Sequence, residues 1–288
     1  MNKRIAILSR LIRIKLTLAV ALSATIGYVF SGAGDLLTAL MVALGVLLLS
    51  SASSVLNQIQ ELKQDALMAR TAQRPIPSGE ITAKQAMLIF LILLFAGAVA
   101  LLGVNLISAI VGISTILLYN GFYTPLKKKT SLAIFPGALV GALPPMIGWV
   151  GAGEPITHPA IIMLSGFMFL WQIPHFLLLA IKYREQYLNA GFRISVGAPA
   201  SKQTRRLLLL WVLTTSFAAL FFPFFGLVQN TFIVAAIILL NCLLIFAFFR
   251  IAFTNYEMAL KGKLHGFVSI YMLLFLLLIA ADSLILNL

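Results

Sequence analysis

LLTALMVALGVLLLSSASSVL, residues 36–56, carries no charged side chain and runs straight into NQIQELKQD, residues 57–65. About 20 apolar residues in a helix cross a bilayer, so the first stretch reads as a membrane span and the second as its polar exit. Working outward in both directions, the alternation repeats: long apolar runs and short polar joints. Spans are expected at Ile14–Phe30, Leu36–Leu56, Ala86–Gly103, Leu106–Tyr123, Ile134–Val150, Ala160–Ile181, Leu207–Leu227, Phe232–Phe253 and Phe267–Leu284, nine in all. The joint at Gly103–Asn105 is short enough that its two spans could be one long broken segment. Composition agrees, at 61% hydrophobic and 10% charged, against roughly half and a quarter in soluble domains. The bilayer is therefore the solvent, and residues 1–288 read as a single all-α polytopic domain. Cys242, alone inside a span, excludes an intrachain disulfide framework and a cysteine metal cluster.

Charge tests the count. Under nine spans, all 21 Lys and Arg residues fall on one side. They precede the first span, follow the second, fourth and sixth, and lie at or after the eighth. The positive-inside rule then puts the N-terminus and the loops after the even-numbered spans in the cytoplasm and the C-terminus outside. A cleaved signal peptide is the alternative for the basic Met1–Lys15 and the apolar residues after it, but cleavage near Ala24 would destroy the first span. The net charge of +13 raises nucleic-acid binding as well. The basic residues sit in short loops against spans, where topology and anionic lipid headgroups account for them, so no nucleic-acid partner is expected.

Chemistry gathers in two cytoplasmic loops. Asn57, Glu61 and Asp65 are four residues apart, which on a helix makes one stripe of oxygen ligands. Such a stripe suits a hard cation such as Mg2+, which takes one or two carboxylates and finds further ligands on substrate phosphates; a plain solvated helix extension is the bland reading. Arg70 and Arg74 can fork onto phosphate oxygens or serve only as topology markers. Tyr123 and Lys127 end the fourth span, with Pro125 between them disturbing helix geometry; Lys127 is a candidate diphosphate ligand, and Lys128 and Lys129 are topology or lipid contacts. Gln172 and His175 lie inside the sixth span, where polar side chains usually face a protein interior or a wet cavity. An ordinary helix-to-helix hydrogen bond is the alternative for both.

The order Asn57, Glu61, Asp65, Met68, Arg70-Thr71, Arg74-Pro75 resembles the first aspartate-rich motif of the UbiA-type intramembrane prenyltransferases. More narrowly it resembles the form in their haem-farnesylating subfamily. Tyr123-Thr-Pro-Leu-Lys127, Gly141-Ala-Leu-Pro-Pro145 with Gly148-Trp149, and Trp171-Gln-Ile-Pro-His175-Phe176 are similar to that subfamily too. The resemblance runs from Arg13 to Gly191; the last third matches in hydropathy only.

It implies a nine-helix UbiA-like bundle around a membrane-embedded cavity, with Mg2+ and farnesyl diphosphate at the cytoplasmic mouth and haem B as acceptor. It implies catalytic, metal or diphosphate roles for Asn57, Glu61, Asp65, Arg70, Arg74, Tyr123 and Lys127, and a place near the acceptor cavity for Gln172 and His175. Haem A synthase or oxidase-assembly proteins are the implied partners beside the lipid bilayer. The compact loops, with no transit-like presequence, point to a bacterial inner membrane. The second motif departs from the pattern. Gln186 stands where an acid is usual before Tyr187, Phe192-Arg193-Ile194-Ser195 replaces a proline-rich stretch, and Glu185 is the substitute acid. The rivals are a UbiA-type enzyme for an aromatic acid or quinone precursor, a secondary transporter, which would show internal repeats with broken helices near the midplane, and a silent homologue or assembly factor.

Overall fold

The computed structural model describes residues 3–193, 201–253 and 263–286. Ile194, Ser195 and Lys261 lie outside the described residues. A short helix, α1 (Lys3–Leu11), precedes the bundle. The chain continues through α2 (Ile14–Phe30), α3 (Leu36–Gln60), α4 (Leu62–Leu67), α5 (Ala83–Leu102), α6 (Leu106–Ile116) and α7 (Thr124–Leu126). It ends in α8 (Ile134–Ala142), α9 (Pro144–Gly151), α10 (Pro159–Lys182), α11 (Arg184–Asn189), α12 (Lys202–Phe224), α13 (Thr231–Phe253) and α14 (Lys263–Leu286). Among the described residues, eight helical stretches are long and apolar enough to cross a membrane, and the shorter α2 adds a further apolar helix. Together they are the nine expected spans.

Helix starts follow local chemistry. Asp35 accepts from Thr38 N–H to begin α3, Thr82 and Gln85 form a reciprocal capping box on α5, and Asn105 accepts from Ser108 N–H on α6. The caps around Gly103–Asn105 separate α5 from α6, which removes the single-broken-segment alternative. Two spans are composite. A π-helical turn, Leu117–Tyr123, joins α6 to α7. Pro125 offers no N–H to the carbonyl four residues back, which favours such a widening. The span of α8 and α9 changes course at Leu143, just before the paired prolines.

α2 packs on α3, α9 and α14, so it closes the ring of helices. Its crossing with α9 is made by glycines. A Cβ on Gly148 would lie 1.8 Å from the Ala24 carbonyl oxygen, and one on Gly27 would lie 2.1 Å from that of Pro145. Lipid gives apolar side chains no reason to leave it, so backbone approach of this kind is what binds membrane helices. Phe167, Phe222 and Phe275 interlock, with ring centroids 4.1–5.9 Å apart, and Phe222 reaches Phe30 of α2 at 6.3 Å. Phe95, Phe224 and Phe232 project outward instead, as lipid-facing residues do.

Between α1 and α2 the chain turns at Arg13, a left-handed residue with φ 57. Gln58 secures that turn from α3: its buried amide donates to the Leu11 carbonyl at 2.7 Å.

Candidate active site

α3 does not run unbroken through the acidic stripe. It ends at Gln60, Glu61 bends the backbone (φ −110, ψ 14), and α4 resumes at Leu62. The i to i−4 bonds nevertheless continue, from Glu61 N–H to the Asn57 carbonyl at 3.0 Å and from Asp65 N–H to the Glu61 carbonyl at 2.7 Å. The three side chains therefore stay on one face. Asn57, Glu61 and Asp65 are 1%, 3% and 1% exposed, which argues against a solvated extension.

Each acid has a captive cation. Lys127 Nζ lies 2.7 Å from Glu61 Oε1 and donates to Oε2 at 2.9 Å. Arg74 Nη1 donates to Asp65 Oδ2 at 2.6 Å. Asn57 Nδ2 donates to Thr124 Oγ1 at 3.2 Å, leaving its carbonyl oxygen as an acceptor. Burial works against the Lys127 ammonium, and its contacts with Tyr123 and with the Glu61 carboxylate offset that and raise its pKa above the usual lysine range.

Asp65 Oδ1 is buried without a partner, and Glu61 Oε1 meets only the Lys127 ammonium, out of hydrogen-bond alignment. These oxygens and an amide carbonyl are hard donors, and the orphaned Asp65 Oδ1 fits a Mg2+ ligand set completed by substrate phosphate and water. Among the described residues no group of three or more His, Cys, Asp and Glu forms a metal site, so this cradle depends on Asn57 and on non-protein ligands.

The two arginines of the first loop separate. Arg74 serves Asp65, whereas the exposed Arg70 lies across the second loop, its Cζ 4.8 Å from the Tyr183 ring centroid and 5.9 Å from that of Tyr187. Arg70 N–H also donates to Gln186 Oε1 at 3.3 Å. The loops after the second and sixth spans therefore meet on one face of the bundle, as the span count requires. Glu185, read from sequence as the substitute acid, points out and is exposed; Gln186 holds the inward position and works as a loop-to-loop acceptor.

Below this mouth Lys127 Nζ lies 5.0 Å from the Tyr123 ring centroid, and Tyr123 stacks on Phe176 at 6.3 Å. His175 follows on α10, with Trp171 4.8 Å away. Gln172 packs against Gly141, where any Cβ would meet its Oε1 at 2.7 Å. Ser269 Oγ donates to the His265 carbonyl at 2.8 Å and lies 3.4 Å from His175 Nδ1.

Sequence reasoning passed over Asn120, Thr124, His265 and Ser269. Asn120 is buried in the fourth span, where it donates to the Ser53 carbonyl and to Gln60 Oε1. The rule that singled out Gln172 and His175, a polar side chain within a span, also applies to it. His265 escaped because its lysine neighbours read as a loop, whereas α14 already begins at Lys263.

A ring of membrane spans that collects buried acids, their cations and an aromatic shaft at one mouth is the arrangement of a polytopic membrane enzyme. The sequence model of the UbiA prenyltransferase family matches residues 17–271. A protoheme IX farnesyltransferase of Oleidesulfovibrio alaskensis is 36% identical, covering 96% of each chain. Among solved structures, a digeranylgeranylglyceryl phosphate synthase superposes with TM-score 0.78 at 20% identity, covering 98% of this chain and 99% of the other. A UbiA homologue from Archaeoglobus fulgidus, bound to GPP and Mg2+, gives 0.71 at 16% identity over 96% and 98%. The chain belongs to the UbiA prenyltransferase family.

Proposed function

We propose that this protein transfers farnesyl from farnesyl diphosphate to a vinyl group of haem B, in a bacterial cytoplasmic membrane with its mouth toward the cytoplasm and the whole chain working as one domain. The observation that carries the reading is the buried cradle of Asn57, Glu61 and Asp65 held against Lys127 and Arg74. The end-to-end identity to a protoheme IX farnesyltransferase supports the acceptor.

The reaction needs no side-chain nucleophile. The allylic C–O bond breaks and its electron pair leaves with diphosphate; the terminal vinyl carbon bonds to the allylic carbon. Water adds to the cation left beside the porphyrin and loses a proton, giving a hydroxyethylfarnesyl haem. Lys127 and Arg74, fixed before substrate arrives, supply positive charge to the departing diphosphate. Arg70, on the rim, extends that charge toward the second loop. Asn57, Glu61 and Asp65 would hold Mg2+, which when bound neutralises further leaving-group charge. Tyr123 and Phe176 present ring faces along the path of the allylic cation and, with the apolar spans, keep stray water from it. Haem A synthase or an oxidase-assembly protein would take the product.

The test supplies purified protein in liposomes with haem B, farnesyl diphosphate and Mg2+, and reads products by mass spectrometry. Farnesylated haem that disappears with chelator is the expected result. Prenylation only of an aromatic acid offered in parallel would overturn the acceptor and keep the family.

A further inference from the structure

The seam between α10 and α14 holds a polar cluster that diphosphate departure does not use. His175 and His265 face each other there with ring centroids 4.4 Å apart. His265 Nε2 is buried without a hydrogen-bond partner, a state that buried polar atoms seldom keep unless a ligand completes them. The charged side chains acting on His265 are Lys182 and Arg70. Both rest on one ring, with Lys182 Nζ 5.3 Å and Arg70 Cζ 4.8 Å from the Tyr183 centroid. Lys127 and Arg74 are matched by acids, but Lys182 and Arg70 enter no ion pair among the described residues. Two cations and an orphaned imidazole nitrogen thus gather where α10 ends and α14 begins, with Arg70 also acting on Arg74 of the acidic cradle.

Resting on the haem reading above, we propose that Lys182 and His265 seat a carboxylate of the acceptor, with Arg70 the cation on the border between the two substrates. A carboxylate fits this place better than a second phosphate group. One ammonium and one ring N–H match its two oxygens, whereas a metal-bound diphosphate would follow the chelating acids, which pair with Arg74 and Lys127 instead. The porphyrin carries its carboxylates on the edge opposite its vinyl groups. Held at Lys182 and His265, it directs the vinyl edge along Phe176 and Tyr123, rings that already bridge from His175 to Lys127. The seat thereby decides which edge of the acceptor meets the allylic carbon.

Soret titration of the full-length protein in detergent, with haem B and with its dimethyl ester, tests the seat without turnover. The wild type is expected to bind haem B about ten-fold or more tightly than the ester, the scale of one charge-assisted hydrogen bond. Lys182→Gln and His265→Leu should bind both haems alike, His265→Gln should recover part of the discrimination, and all three should keep the wild-type KM for farnesyl diphosphate. Equal binding of haem and ester by the wild type, or discrimination surviving in both Lys182→Gln and His265→Leu, would overturn the seat. So would a raised KM for farnesyl diphosphate, which would assign the cluster to the donor. Product analysis on the same samples separates the two claims. Ester discrimination without farnesylated haem supports the seat and sinks the haem-transfer reading; farnesylated haem without discrimination does the reverse.

Discussion

Asp65 gives the sharpest single-residue test. It is 1% exposed, one carboxylate oxygen grips Arg74 and the other is unpartnered. Asp65→Asn keeps an acceptor for Arg74 while removing the charge, so the fold should survive. Turnover should fall about 100-fold or more, the usual cost of losing one preorganised electrostatic group. Initial rates across a Mg2+ titration check this, and a wild-type rate at saturating metal would exclude Asp65 from the cradle. The stripe itself was legible because spacing by four survives a bend that keeps the i−4 bonds. What could not be read was which of two adjacent polar residues, Glu185 or Gln186, turns inward. Both sit in the short helix α11, and only the approach of Arg70 from a loop more than a hundred positions earlier decides it.

Elements that cross in lipid stand or fall on backbone distance, which makes the α2–α9 contact the place to perturb packing. Gly148→Leu must push the Ala24 carbonyl away and part the two helices. Overpacking commonly costs about 1–3 kcal/mol, and here backbone rather than a flexible side chain must yield. The melting temperature in detergent should drop by several degrees, whereas Gly166→Leu, with open space at its Cβ, should leave it unchanged. A Gly148→Leu protein as stable as the wild type would show that the contact is slack. Hydropathy had already located both spans. The composite geometry was hidden, because the π turn at Leu117–Tyr123 follows from the one missing N–H of Pro125 rather than from any periodic pattern. That turn carries Asn120 to the α3 side of the mouth, where it meets Gln60.

At the scale of the whole molecule, an odd number of spans puts the two termini on opposite sides of the membrane. A C-terminal alkaline phosphatase fusion should be active and a C-terminal green fluorescent protein fusion dark; the opposite pattern would remove one span from the count. The fold was legible at this scale because every cationic side chain counts toward topology, while the acceptor seat was not, since α10 and α14 meet only after the chain has folded. With +13 of net charge, the cationic face attracts any anion to its vicinity. Glu61 with Lys127 and Asp65 with Arg74 make the centre of that face charge-neutral. A lone cation meets acids whose charge is already balanced, and a lone diphosphate meets bases whose charge is already balanced. Only when the two arrive together can all four side chains change partners at once, each ending with an opposite charge, so each ligand should strengthen the other's binding reciprocally. Mn2+ binding followed by electron paramagnetic resonance should accordingly be weak alone and tighten when a diphosphate ester is added. The cradle then works as a coincidence detector, answering to a cation–diphosphate pair and staying silent toward either ion by itself.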